Sequence, residues 1–135
     1  MQSGLTWEPL ILCLREWLPS LLVIYAFGSR VSGAARPESD LDLAVMVEGK
    51  VNPVTLWTLA GQLADVVGCP VDLLDLRTAS TVMQYQIITT GRRLWRRDHQ
   101  ASLYESFILS EKTALDEVRA PLMAIIQREG TIYGR

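Results

Sequence analysis

The sequence predicts an α/β fold: a small mixed sheet of about four strands, helices packed on it, and a C-terminal helical tail. Two seven-residue segments, 21–27 and 41–47, are almost continuously apolar, as in strands buried on both faces of a sheet. Apolar residues at helical spacing precede the first of these segments and follow the second. At 135 residues and 49% hydrophobic, the chain has enough interior for one core and no room for a separate substrate domain. Residues 1–135 should therefore form a single domain, with a core over 1–97 and a tail over 98–135.

The first helix should begin after Thr6 as its N-cap and end before Pro19. One face of it is predicted to pack on the sheet, through Trp7, Leu10, Ile11, Leu14, Trp17 and Leu18. Residues 21–27 then form the first strand, and Gly28 marks a sharp turn behind it. The second strand is residues 41–47.

The second helix is delimited by Asn52 as N-cap, Pro53 at the first helical position and Gly68 behind its end. Its apolar stripe is predicted to be Trp57, Ala60, Leu63, Ala64 and Val67. A third strand comes next at residues 71–76 and contains Asp72 and Asp75. Because these are three apart on a strand, they face opposite sides of the sheet.

A third helix is expected over residues 78–90, ended by Gly91. Residues 92–97 contain four arginines and should form a short edge strand, where positive charge discourages pairing with other sheets. These arginines can be a solvated edge, or they can contact an acidic partner or nucleotide phosphates.

The tail should be helical from His99 to about residue 130. We expect Pro121 to kink it or divide it into two helices near Ala120, since proline removes a helix hydrogen bond. His99 should lie on the surface at the helix start. The predicted apolar face is Tyr104, Phe107, Ile108, Leu115, Val118, Leu122 and Ile125 or Ile126.

The chemistry of the chain centres on the turn between the first two strands. Asp40 and Asp42 project from the same face of a strand about 7 Å apart, just beyond the end of a buried sheet. Two carboxylates so close together need a positive charge, and Mg²⁺ is the hard cation that oxygen ligands favour. Gly28 and Ser29 suit a turn whose amides and hydroxyl hold phosphate oxygens. Such a site can move a phosphoryl or nucleotidyl group.

Gly28-Ser29, ten further residues, and then Asp40-x-Asp42 resemble the signature of the polymerase-beta-type nucleotidyltransferase superfamily. The short chain and its ending, REGTIYGR, resemble the minimal nucleotidyltransferases that act as antitoxins to HEPN-domain toxins. The resemblance implies transfer of AMP from ATP to a tyrosine hydroxyl of a HEPN ribonuclease toxin, which would neutralise it.

The resemblance also implies that Asp40, Asp42 and a third carboxylate hold two Mg²⁺ ions. Asp72 matches that third position. Gly28 and Ser29 would bind the nucleotide, and Arg30 either reaches the triphosphate as well or is a solvated loop residue. Asp75 would then lie at the end of the third strand, where it would either face solvent or cap the next segment.

Composition excludes several other classes of protein. A net charge of −2 gives no positive field for long nucleic acid. No run of about 18 apolar residues and no secretory signal is present, so we expect a cytoplasmic protein without a membrane span.

Cys13 and Cys69 lack metal-site spacing and should be small buried hydrophobes. With His99 as its only histidine, the chain has no histidine-rich metal site.

Two alternative functions remain open. One is a related enzyme with a small-molecule acceptor, such as an aminoglycoside nucleotidyltransferase, although those enzymes carry an extra drug-binding domain that this chain has no length for. The other is an antitoxin that masks its partner by contact alone, through the apolar tail and the arginine cluster. Three clustered carboxylates argue against contact alone, because binding gives no reason to keep them.

Overall fold

A computed structural model describes residues 7–28 and 40–128 of the chain, with side chains up to residue 114. This part contains four α-helices and a four-stranded mixed sheet, which confirms the predicted fold class and order of elements. The elements are α1 Glu8–Trp17, β1 Leu21–Phe27, β2 Leu41–Val47, α2 Pro53–Val67, β3 Val71–Asp75, a 3₁₀ turn Leu76–Thr78, α3 Thr81–Thr90, β4 Arg92–Arg96 and α4 His99–Arg128.

The sheet order is β3-β2-β1-β4. Strand β1 runs antiparallel to both β2 and β4, whereas β2 and β3 are parallel and joined by α2. The end of β1 and the beginnings of β2 and β3 therefore lie at the same edge of the sheet. This arrangement brings Gly28, Asp40, Asp42 and Asp72 to one place.

Each face of the sheet has its own hydrophobic core. On one face, Leu41, Leu43 and Val45 of β2 belong to the core formed with α1 and α2. On the other face, Ala44 and Met46 belong to the core formed with α3 and α4. Because side chains alternate along a strand, Asp42 lies on the face of α3 and α4. Both faces of β1 and β2 are covered, which explains the continuous apolar runs in the sequence.

The caps of α2 agree with the prediction. The Asn52 side chain accepts a hydrogen bond from the Val54 amide, Pro53 is the first helical residue, and Gly68 closes the helix at φ +79°. The predicted apolar stripe was wrong at Trp57, whose surface is 80% exposed. Of the predicted stripe, Ala60, Leu63 and Val67 do face the core, and they are joined by Leu56 and Leu59. Trp57 is one residue past Leu56, so it is turned about 100° around the helix, away from the core.

Two further expectations for the helices differ from the structure. Helix α4 continues through Pro121 to Arg128 as one helix, so the alternative of two helices meeting near Ala120 was wrong, while a kink there stays a prediction. Trp17 and Phe107 were assigned to core-facing sides, but they are 38% and 61% exposed. Leu10, Leu14 and Leu18 supply the buried side of α1, while Ala101 and Ile108 supply that of α4.

The predicted start of the third helix at residue 78 was wrong. Helix α3 begins at Thr81, because the 3₁₀ turn occupies Leu76–Thr78 and Ser80 caps the helix through the Met83 amide. The positions predicted for β4 and His99 are confirmed. Strand β4 is an edge strand, and His99 is the exposed first residue of α4. Cys13 and Cys69 are half-buried and pack against the core below α1 and α2. Thr6 lies outside the described residues. None of the helices in the described ranges has the length and apolar character needed to cross a membrane.

Candidate active site

The register of the sheet places two of the predicted carboxylates side by side. Asp42 pairs with Asp72 on the parallel strand β3 and with Phe27 on β1. Residues paired in register project to the same face, so the carboxylates of Asp42 and Asp72 face the same region. Asp40 comes directly before β2, two residues from Asp42 and on the same side. Asp40 and Asp72 are exposed, whereas Asp42 is half-buried.

Like charges meet at Asp42. Partial burial raises the pKa of this carboxyl above its ordinary value, and the charges of Asp72 and then Asp40 raise the pKa further. The charges of Asp72 and Asp40 thus act on the Asp42 carboxyl, and a cation bound there would relieve that repulsion.

Gly28 brings the backbone against this cluster. It follows β1 with φ at +81°, a left-handed conformation that glycine adopts easily. A Cβ atom built at this position would collide with a carboxylate oxygen of Asp42. A larger residue at this position would have to displace the Asp42 carboxylate, in addition to adopting a left-handed backbone conformation. Ser29 and Arg30 lie outside the described residues, so their predicted contacts with the nucleotide stay predictions.

Asp75 has a different place from Asp72. It is 1% exposed and accepts hydrogen bonds from the Val51 amide at 2.9 Å and the Arg77 amide at 3.0 Å. This confirms the expectation that Asp75 caps the segment after β3, while the alternative of a solvent-facing Asp75 was wrong. The two amides use both carboxylate oxygens of Asp75. Of the two acids of β3, Asp72 is thus the one beside Asp42.

Substitutions should distinguish Asp72 from Asp75 by their effects on stability. We expect Asp75→Ala to lower the free energy of unfolding by about 2–4 kcal/mol, because it leaves two amides without their acceptor. Asp72→Ala should change the free energy of unfolding by no more than about 0.5 kcal/mol, because its side chain is exposed. Urea denaturation measures both. An Asp72→Ala protein that is the less stable of the two would contradict these roles.

A divalent cation fits the chemistry of the cluster. In residues 7–28 and 40–128, no group of three or more His, Cys, Asp or Glu side chains is already arranged so that it could hold a metal ion. Asp40, Asp42 and Asp72 nevertheless offer only carboxylate oxygens, the ligands that hard cations prefer. The exposed side chains of Asp40 and Asp72 can rotate toward Asp42. A cation placed among them would offset the repulsion that raises the pKa of Asp42.

The arginines of β4 mostly contact their own chain. Arg93 pairs with Glu105 at 3.0 Å, and Arg97 pairs with Glu48 at 2.8 Å. Arg96 donates a hydrogen bond to the Ser102 hydroxyl, and Arg92 lies 5.8 Å from the centre of the Trp7 ring. These contacts favour the interpretation of β4 as a charged, solvated edge over a phosphate-binding role.

One surface near the site was not predicted. Trp57 and the outer side of α2 form a groove with β3, and Asp72 lies at its wall. The sequence did contain a signal for this surface: Trp57 is one position away from the leucines that form the buried side of α2.

Comparison with known proteins bears on this geometry. The family model described as polymerase beta, nucleotidyltransferase matches residues 14–100. The protein adenylyltransferase MntA of Shewanella oneidensis is 35% identical over 127 residues, which cover 88% of this chain and 91% of that protein.

Two solved structures are similar over most of their length. A crystal structure of a toxin–antitoxin with AMP-PNP has a chain that matches with a TM-score of 0.80 at 33% identity, covering 91% of this chain and 99% of that chain. A structure of tri-AMPylated Shewanella oneidensis HEPN toxin in complex with MNT antitoxin matches with a TM-score of 0.72 at 32% identity. That match covers 89% of this chain and 94% of the other.

Proposed function

This chain belongs to the polymerase beta nucleotidyltransferase family, and we propose that it is a Mg²⁺-dependent antitoxin that transfers AMP from ATP to a tyrosine hydroxyl of a cognate HEPN ribonuclease toxin. The modification neutralises the toxin. The observation that carries the proposal is the register of Asp42 with Asp72 at the sheet edge where Gly28 closes on Asp42. Similarity to a protein adenylyltransferase and to antitoxins solved with AMP-PNP and with an AMPylated HEPN toxin supports the substrate and the partner.

Asp40, Asp42 and Asp72 would hold the Mg²⁺, as two ions. When bound, Mg²⁺ offsets negative charge on the triphosphate and on the pyrophosphate that leaves. Asp42 is the half-buried ligand and is held in place by two neighbouring strands, while Asp40 and Asp72 approach from the surface. A fixed central carboxylate between two exposed ones gives the cluster a defined position relative to the sheet.

Gly28, Ser29 and Arg30 would bind the nucleotide. Because Gly28 has no side chain, the Asp42 carboxylate lies directly against the backbone where the turn begins. The Ser29 hydroxyl and the amides of the turn would hold the β- and γ-phosphates. Arg30 would add a positive charge to the same phosphates.

The reaction is a displacement at the α-phosphorus. The tyrosine oxygen forms a bond to the α-phosphorus, the bond to the β-phosphate oxygen breaks, and pyrophosphate leaves with its electron pair. The tyrosine proton passes to the exposed Asp72 carboxylate and then to water. ATP is supplied in the cytoplasm, and we propose that the reaction takes place there.

Binding can be tested without turnover. Mg²⁺ and AMP-PNP together should raise the melting temperature more than the sum of their separate effects, because the triphosphate and the carboxylates share the same ions. Differential scanning fluorimetry measures this. An equal shift from AMP-PNP without Mg²⁺, with EDTA present, would show that the carboxylates are not metal ligands.

A masking antitoxin is the second candidate, and one observation favours it. Leu103 and Phe107 of α4 are 63% and 61% exposed and lie one helical turn apart on the surface. They offer an apolar surface through which the chain could hold its partner without chemistry. Contact through α4 and transfer of AMP are compatible, so the two candidates differ only in whether the modification is needed.

A further inference from the structure

Strand β3 is an edge strand of the sheet, and it contains Asp72 of the candidate site. Within residues 7–28 and 40–128 it pairs only with β2, and its outer side has no neighbouring strand. A groove of about 790 Å³ runs between this strand and α2. An unpaired strand edge offers backbone donors and acceptors to an extended polypeptide, which can add a strand there.

The register of the sheet fixes where such a strand would place its side chains. Asp42 and Asp72 are paired and share one face. A residue of an added strand paired with Asp72 would share that face too, about 5 Å beyond Asp72 and about 10 Å beyond Asp42. Its neighbours along the added strand would face the other way, toward the groove and α2. One side chain in an added strand thus reaches the carboxylates while the next ones contact α2.

The α2 wall of the groove suits a polypeptide backbone. Ala60, Gly61 and Ala64 line it, and a Cβ built on Gly61 meets no atom of the described residues within 4 Å. Trp57 lies at the wall with 80% of its surface exposed. Tryptophan is enriched among the residues that contribute most binding energy in protein interfaces.

The charges of the groove indicate the chemistry of the occupant. Asp65 and Asp72 line it, and no Lys or Arg is among the described residues that line it. Because Mg²⁺ would offset the charge of Asp72, the charge left to attract the segment is that of Asp65. The bound segment should therefore carry a basic side chain where it passes Asp65.

We infer that the outer edge of β3 and the α2 groove bind the acceptor protein, by taking an extended basic segment whose acceptor hydroxyl lies beside Asp72. This inference rests on the proposed function, because it names where the acceptor of that reaction binds. It makes Trp57, Gly61 and Asp65 determinants of acceptor specificity, with no part in binding ATP.

Substitutions at Gly61 test the groove kinetically. Gly61→Phe should raise the KM for the intact toxin at least about tenfold, with kcat and the AMP-PNP-dependent thermal shift unchanged. Gly61→Ala is the matched control, because a single methyl group fits the open space and also favours the helix. Trp57→Ala should raise KM likewise, whereas Val54→Ala should not, since Val54 is exposed on the same helix outside the groove. Unchanged KM values for both Gly61→Phe and Trp57→Ala would overturn the inference.

Hydrogen exchange tests the same surface independently of catalysis. In the complex of the full chain with its toxin and without nucleotide, the amides of residues 71–75 that point away from β2 should exchange at least about tenfold more slowly than in the free chain. If the complex has formed and exchange at these residues is unchanged, the inference that the acceptor binds at β3 and α2 is wrong, even if AMP transfer is observed. Slowed exchange with no AMP transfer by the wild-type chain supports the groove and refutes the proposed reaction.

Discussion

Replacing Asp42 by asparagine should lower the rate of AMP transfer at least about 100-fold, because the central ligand of the proposed metal cluster loses its charge. The fold should be as stable as the wild type or more so when Mg²⁺ is absent. The substitution removes the half-buried carboxylate that Asp72 and Asp40 repel. Transfer of label from α-³²P-ATP measures the rate. Glu111→Gln is the control for the loss of one negative charge, since Glu111 is exposed on α4.

The pH dependence of stability gives the same prediction a second test. The pKa of Asp42 is raised in the folded protein, so the folded state holds a proton on it more tightly than the unfolded state does. Stability without Mg²⁺ should therefore fall as the pH rises from the ordinary value of 3.8 through the raised pKa. Asp42→Asn should lack this loss, so its advantage over the wild type should appear only above that window. Denaturation at a series of pH values in EDTA measures it, and a variant that is less stable at neutral pH would contradict the clustered charges.

Gly28→Ala should abolish activity and destabilise the fold more than the same change at Gly49. Both glycines have positive φ, +81° and +96°, so alanine costs about 1–2 kcal/mol of backbone strain at either. Only at Gly28 does the new Cβ collide with Asp42, while at Gly49 it meets no atom within 4 Å. Chemical denaturation compares the two variants.

A double-mutant cycle isolates the collision. In an Asp42→Ala background, the extra cost of Gly28→Ala over Gly49→Ala should largely disappear, because the carboxylate that is struck is gone. If the extra cost stays the same, Gly28 does not close on Asp42 and the geometry of the site is wrong.

The sequence was sufficient for the parts of the fold that depend on local signals. Continuous apolar runs predicted the bounds of β1 and β2. When both faces of a strand are covered, nearly every residue in it is apolar, so the strand begins and ends where the apolar run does. Asn52 and Gly68 predicted α2, because their side-chain and backbone chemistry acts within one helical turn.

The features that sequence reasoning missed depend on contacts that are distant in sequence. Trp57 and Leu56 are both apolar, and only the packing of α2 on α1 and β3 decides which of them is buried. Strand alternation alone left Asp72 and Asp75 open as the third carboxylate, and only the family resemblance favoured Asp72. The register of β2 with β3, which places Asp72 beside Asp42, was not available from the sequence. The Val51 amide, which donates a hydrogen bond to the Asp75 carboxylate, is 24 residues away in the sequence. The predicted division of α4 at Pro121 gave too much weight to one lost hydrogen bond.

Intact-mass spectrometry of the toxin tests the central claim, that this antitoxin is a catalyst. A substoichiometric amount of the chain is incubated with its HEPN toxin, ATP and Mg²⁺, with the Asp42→Asn variant in parallel. The account predicts that the wild type makes the excess toxin heavier by a whole number of AMP units and inactivates it, while the variant leaves its mass and activity unchanged. Toxin that is inactivated only at one antitoxin per toxin, without ATP and without any change of mass, would contradict it.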